Sequence, residues 1–443
     1  MKNRLTSEEV QPASSAVRRF LGFGWLASLG PGFVYVLTAL GTGDIVSNSA
    51  AGASYGYHLI WALGLTPIFR FVWVNLSAKY VLVTGESLLT GYRRVGRWVP
   101  WLFLISLLPI RCFYMSYAIL MFGHSAHLLF PLPTESSTVI WACFFTFLGF
   151  ALPFWGGYAV VESFCKLLIG MMGVSLLVAA SLSHPDPAAI LEGTFIPSLP
   201  QAEGLYSAIL IILALIGTEV GSTANLNYSY FIREKGWTGI SHLKQQRFDL
   251  TVGVITLFIM GALLQIAAAG TIHPLGIQVE DADDLGRIFS ETQGFIGLIV
   301  FALGLWGSAF SSFVGGNTGG ALIFTDICRS VVPGLKQSEE ERQKRASKED
   351  PIYRRVIIFW SFAPLYIIFT GVSPIWFVLM VNAFVVILIP VLVLTLLKIT
   401  NDESLMGQYR NGWLTNMVML LLVLVTVYLT YVHLVEFWNR LAN

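Results

Sequence analysis

Eleven runs of predominantly apolar residues, each long enough to cross a bilayer as a helix, dominate this sequence. They fall near 27–54, 58–84, 100–126, 137–156, 158–183, 205–231, 249–272, 296–325, 356–371, 374–397 and 412–435. A hydrocarbon core of ~30 Å takes about 20 helical residues, so each run predicts one transmembrane helix. Charged residues form only 12% of the chain, about half the ~25% of a soluble domain. Its exterior must therefore be lipid. The net charge of +1 offers no field for nucleic acid or another polyion. The expected fold class is an all-α integral membrane protein.

The Lys and Arg residues predict orientation. With the N-terminus inside, twenty-one of them fall in inner segments and two, Arg287 and Arg440, in outer ones. That asymmetry places the N-terminus in the cytoplasm and the C-terminus outside a cell membrane. Residues 1–19 are polar and charged, without a cleavable apolar segment, and read as a cytoplasmic tail. Residues 20–443 read as one transmembrane domain. The outer segment after span 7 is acidic, with Glu280, Asp281, Asp283 and Asp284. The charged inner loop around 330–355 reads as a solvated connector.

Two spans depart from simple rods. Span 1 carries Gly30-Pro31-Gly32 and then Gly41-Thr42-Gly43-Asp44, and span 6 carries Gly217-Thr218-Glu219-Val220-Gly221-Ser222-Thr223. Each sets a Gly-Thr pair and an acid in mid-membrane, five spans apart. This predicts an inverted repeat of five plus five helices with helices 1 and 6 broken. The first repeat covers about 27–183, the second about 205–397, and an extra helix about 412–435. Unwound backbone cannot face lipid, so it must line a cavity where freed carbonyls and N–H groups become ligands. A carboxylate at that depth needs an ion, a proton or a partner, which makes Asp44 and Glu219 the candidate metal ligands. Each also has a structural reading: Asp44 paired with span 3 or span 5, and Glu219 neutralised by Arg111 or Lys166.

Other polar residues inside spans are read the same way. Glu162 and Lys166 are spaced to pair along one helix, and Arg70 and Lys79 either snorkel or bind structurally. Arg111 lies too deep in span 3 for easy snorkelling, so it needs an acid or an anion. Ser311 and Ser312, in glycine-rich span 8, serve close helix contact or supply oxygen ligands to a cation such as Na⁺. Cys112, Cys143, Cys165 and Cys328 lack metal or redox spacing and read as small buried hydrophobes. His124 and His127 share a helix face with no acidic partner nearby in sequence, a weak metal pair.

Several stretches resemble the Nramp family of metal-ion transporters. They are Gly30-Pro31-Gly32-Phe33, Ala51-Gly52-Ala53-Ser54-Tyr55-Gly56-Tyr57, Leu76-Ser77-Ala78-Lys79 with Thr84-Gly85, and the serine- and glycine-rich span 8. The similarity covers nearly the whole chain. It implies a LeuT-type architecture and an inward-directed secondary transporter, with no enzymatic role and no resident cofactor. The implied ion site lies between spans 1 and 6. Anchored on Tyr55-Gly56-Tyr57, the family's Asp-Pro-Gly-Asn run falls on Gly41-Thr42-Gly43-Asp44, so glycine stands for the ligand aspartate and an acid for the asparagine. The family's Met-Pro-His falls on Gly221-Ser222-Thr223, which removes the soft thioether and the histidine associated with proton coupling. Asn382 stands near the family's span-10 glutamine, and span 3 carries Arg111 where the family has acids of a proton route.

Three readings follow. The first is import of a hard divalent cation such as Mg²⁺ or Mn²⁺, held by Asp44, Glu219 and neutral oxygens including Thr42 and Thr218. The second is import of a small inorganic anion such as bicarbonate at exposed N–H groups and hydroxyls, with Arg111 adding charge. In that case Asp44, Ser311 and Ser312 would hold a coupling Na⁺; otherwise the coupling ion is H⁺ or Na⁺. A non-transporting sensor ranks last, since no large soluble extension follows the last span in this sequence. The expected partners are the ion and the lipid bilayer; the sequence leaves the oligomeric state open, a monomer being compatible with it.

Overall fold

The computed structural model describes residues 41–155, 158–200, 205–221, 223–234, 236–337 and 350–442. Among these the chain is all helix and loop, and helix falls within each of the eleven apolar runs. Seven helices are long and apolar enough to cross a membrane, and a bent pair, Gly170–Leu182 with Pro187–Phe195 at 112°, makes up to eight. Two shorter apolar helices, Ser137–Ala151 and Ala208–Glu219, fall below that length.

Helix α1 (Thr42–Tyr55) starts in the middle of the first apolar run, and the residues before it, including Gly30-Pro31-Gly32 and Thr38, lie outside the described residues. Its start is fixed by Gly41, whose N–H donates to the Asp44 carboxylate at 2.9 Å, a local cap for an otherwise orphaned donor. Helix α2 (Ile60–Thr84) ends at Gly85, whose φ of 71° is the left-handed conformation favoured after a helix. A short helix α3 (Leu88–Val95) leads into α4 (Trp98–Leu129), longer than the 100–126 expected. Helices α5 (Ser137–Trp155) and α6 (Tyr158–Leu182) follow, then the short α7 (Pro187–Phe195).

The sixth run divides. Helix α8 (Ala208–Glu219) stops mid-run, and α9 (Thr223–Glu234) resumes beyond Val220, Gly221 and Ser222. The N–H groups of Val220 and Gly221 both donate to the Ile216 carbonyl, so the Gly217 carbonyl loses its usual donor four residues on. Helix α10 (Leu243–Thr271) is unbroken. Helix α11 (Ala282–Val331) bends at Gly294 (φ 62°, ψ −152°), separating the segment over the acidic stretch from span 8. Span 9 begins as α12 (Pro351–Phe362) and finishes as a 3₁₀ segment, Ala363–Phe369. Span 10 is α13 (Pro374–Val385) and α14 (Ile389–Asn401) joined by a 3₁₀ turn, where Pro390 lacks the N–H a continuous helix would use. Helix α15 (Trp413–Ala442) packs on α14, α8 and α2.

Between apolar helices in lipid, close packing replaces the hydrophobic effect. Two contacts show how close. A Cβ on Gly52 of α1 would fall 2.3 Å from the Gln265 carbonyl of α10, and one on Gly217 of α8 would fall 1.9 Å from the Asn382 carbonyl of α13. Helices α1, α8 and α13 also touch one another in pairs. Their shared line of contact carries the candidate site.

Candidate functional site

Asp44 is the centre of this junction and is 1% exposed. One carboxylate oxygen accepts from the Gly41 N–H, and the other accepts from the Thr218 hydroxyl at 3.1 Å. Its own carbonyl accepts from the Asn48 amide at 2.9 Å. Gly43 makes the approach of the three helices feasible: a Cβ there would fall 2.6 Å from Thr218 Oγ1 and 2.9 Å from Asn382 Nδ2. Asn382 is fully buried, and neither of its amide atoms has a partner; the Thr42 hydroxyl, equally buried, also has none. A buried amide without partners carries a penalty of about 1–3 kcal/mol. Polar atoms left waiting around one carboxylate are what a dehydrated ion needs. No group of three His, Cys, Asp or Glu side chains suited to a metal occurs among the described residues, so any ligand set they supply here has at most two carboxylates, with neutral oxygens.

Glu219 lies next to this centre, its carboxyl within interaction range of Asp44. It is ion-paired with Arg70, itself fully buried, where the sequence suggested Arg111 or Lys166. Arg70 also donates to Asn225 Oδ1 at 3.4 Å, and the Asn225 amide donates to the Glu219 and Val220 carbonyls. Asn225 thereby satisfies the last acceptors of α8 where the helix stops. Arg70 therefore binds structurally and does not snorkel. Arg70 and Asn225 were missed as members of the site. The available signal was a charge deep inside span 2, but sequence gives no partner across 149 positions.

The remaining expectations divide. Gly41, Thr42, Gly43, Asp44, Thr218 and Asn382 come together. Gly221 lies at the end of α8 against Val385 of α13. Ser222 and the side chains of Thr223, Glu162 and Lys166 lie outside the described residues. Ser311 donates to the Ser308 carbonyl of its own helix at 3.1 Å, whereas the buried Ser312 hydroxyl has no partner. Arg111, 5% exposed, packs against Gly316 and Gly320 of α11. Lys79 donates to Asn411 at 2.8 Å. The histidine pair is not isolated from acids: Asp281 and Asp283 act on the charge of His124. At Asp283, partial desolvation and then Asp281 raise the carboxyl, while the two imidazoles pull it down.

Known proteins bear on this arrangement. Residues 32–436 match the family model described as Nramp, natural resistance-associated macrophage protein-like. A relative from Bacillus subtilis, named divalent metal cation transporter MntH, is 24% identical, with 94% of this chain and 95% of that protein covered. Another of that name, from Caldanaerobacter subterraneus, is 24% identical over 70% of this chain and 73% of its own length. Among solved structures, a manganese transporter of Eremococcus coleocola superposes with a TM-score of 0.71 at 16% identity, covering 97% of this chain and 90% of that one. Mhp1, a nucleobase-cation-symport-1 family transporter, superposes at 0.56 with 11% identity, covering 91% and 92%. The fold is thus that of multi-pass membrane transporters and not of an enzyme, and this chain belongs to the Nramp family.

Proposed function

We propose that this protein is a secondary-active importer whose central site takes a hard divalent cation, Mg²⁺ or Mn²⁺ in preference to Fe²⁺. The observation that carries this reading is the fully buried Asp44 carboxylate set among unpartnered oxygens of Thr42 and Asn382. Oxygen donors without a thioether or imidazole suit a hard ion, and the curated relatives named for divalent metal cations support the class. In this reading eleven helices cross the membrane in a five-plus-five inverted repeat plus one, with the N-terminus in the cytoplasm. Helix 1 is broken before Thr42 and helix 6 between Glu219 and Thr223, and the freed Gly217 carbonyl adds a ligand. The coupling ion is H⁺ or Na⁺. The test is metal uptake into proteoliposomes: saturable Mn²⁺ or Mg²⁺ entry, lost in Asp44→Ala, supports it, and absence of entry for either ion overturns it.

One observation favours the second reading, import of bicarbonate. With Glu219 cancelled by Arg70, the junction retains one negative charge, a weak counterweight to a divalent ion. Bicarbonate entry driven by a Na⁺ gradient, without metal entry in the same vesicles, selects this reading over the first.

A further inference from the structure

Arg111 sits in α4 with 5% of its surface exposed, and its Nε is shut away without a hydrogen-bond partner. No hydrogen bond or carboxylate partner reaches this side chain among the described residues. Its walls are small or apolar. A Cβ on Gly316 would fall 3.1 Å from Arg111 Nη1 and 3.2 Å from the Met115 methyl, and one on Gly320 would fall 2.6 Å from Arg111 Nε and 3.2 Å from the Trp360 ring. One turn along, the buried Tyr114 hydroxyl also lacks a partner, and the ring packs edge-on against Tyr117 at 5.3 Å. Both tyrosines lie close enough to interact with the arginine's charge.

A buried lysine in this position would shed its proton. A guanidinium keeps its charge at any pH a protein meets, so burial obliges it to find an anion. Among the described residues no carboxylate faces the guanidinium fork, and the unpartnered Tyr114 phenol can donate beside it. Gly316 and Gly320 form the notch in α11 into which the guanidinium packs, so no side chain of that face competes for its donors. We infer that Arg111 and Tyr114 form a binding site for a small monovalent anion between α4 and α11, with planar oxyanions of bicarbonate size preferred over halide because the fork donates two parallel bonds. The site adjoins the Asp44 junction, since Asp44 lies close enough to act on Tyr114 and Tyr117, but it uses different side chains and its assignment does not depend on which ion that junction carries.

The test is thermal unfolding of the purified full chain in detergent at fixed pH and fixed Na⁺, with gluconate replaced stepwise by bicarbonate, nitrate or chloride. The expected result is a saturable rise in melting temperature, reached at lower concentration for bicarbonate and nitrate than for chloride. Arg111→Gln should weaken the apparent affinity at least roughly tenfold, as loss of a charge-assisted bond does. Tyr114→Phe should weaken it less, and Arg111→Lys should keep a response while losing the preference for oxyanions. If Arg111→Gln does not fold, Gly316→Ala serves instead, since it retains the charge and displaces the fork. No saturable rise in the native protein overturns the inference. So does an undiminished rise in Arg111→Gln, or a rise lost in Asp44→Asn and kept in Arg111→Gln, which would put the anion at the central junction. Failure of ion uptake with the anion response intact would sink the transport reading and leave this one standing.

Discussion

Two buried arginines in neighbouring spans are handled in opposite ways. Arg70 in α2 is closed on itself by Glu219 and Asn225, whereas Arg111 in α4 faces glycines and aromatic rings without an acid. Asp44 belongs with the second kind, because a hydroxyl, a backbone N–H and the neighbouring Glu219 reach its carboxylate but no cation pairs with it among the described residues. The closed pair holds the end of α8 in place. The open charges are left for something the chain does not contain. Charge neutrality inside a membrane can be completed by the protein or left for a solute to complete, and this molecule does both.

The widest gap between the two kinds should appear at Asp44. Asp44→Ala should bring ion uptake to background while leaving the melting temperature within a few degrees of native. A large loss of stability instead would move Asp44 to the closed kind. At the other pole, Glu219→Gln should strand Arg70 and destabilise the protein by about 3–5 kcal/mol, and the double variant Arg70→Met with Glu219→Leu should recover most of that. Chemical denaturation in detergent measures both. An unchanged midpoint with lost transport would make Glu219 part of the ion path.

Gly217→Ala tests the joint between the two kinds. The added methyl meets the Asn382 carbonyl, and overpacking of about 1–3 kcal/mol should follow together with altered uptake affinity, since Asn382 must shift. The smallest effect belongs to a charge with no such duty. Asp402 accepts from the Ser404 hydroxyl and N–H, which hold its carboxyl below the usual value. Its contribution is therefore full above about pH 4 and is lost only as pH falls through the lowered folded value. Melting curves of Asp402→Asn and native protein should differ slightly at neutral pH and converge in strong acid.

Apolar run length made the helices readable, because one period and one length threshold cover the whole chain. Asp44, Thr218 and Asn382 were readable because a polar residue in mid-membrane is anomalous by itself. The partner of Glu219 was not readable. Arg70, Arg111 and Lys166 are all cations inside apolar helices, and only helix rotation and tilt decide which one reaches. The run at 282–331 hid a bend for a similar reason: Gly294 is one glycine among many there, and its φ of 62° follows from tertiary packing. The acids around His124 were concealed by more than 150 residues of intervening chain.

Helices α1 and α10 each give a glycine to the other. Gly52 admits the Gln265 carbonyl, and a Cβ on Gly261 would fall 3.0 Å from the Asn48 amide nitrogen. Interlocked at two levels, they have no room to slip or roll independently, so any tilt that opens the Asp44 end must carry both as one lever. A spectroscopic probe placed on α10, far from the ion, would then report every stroke of α1.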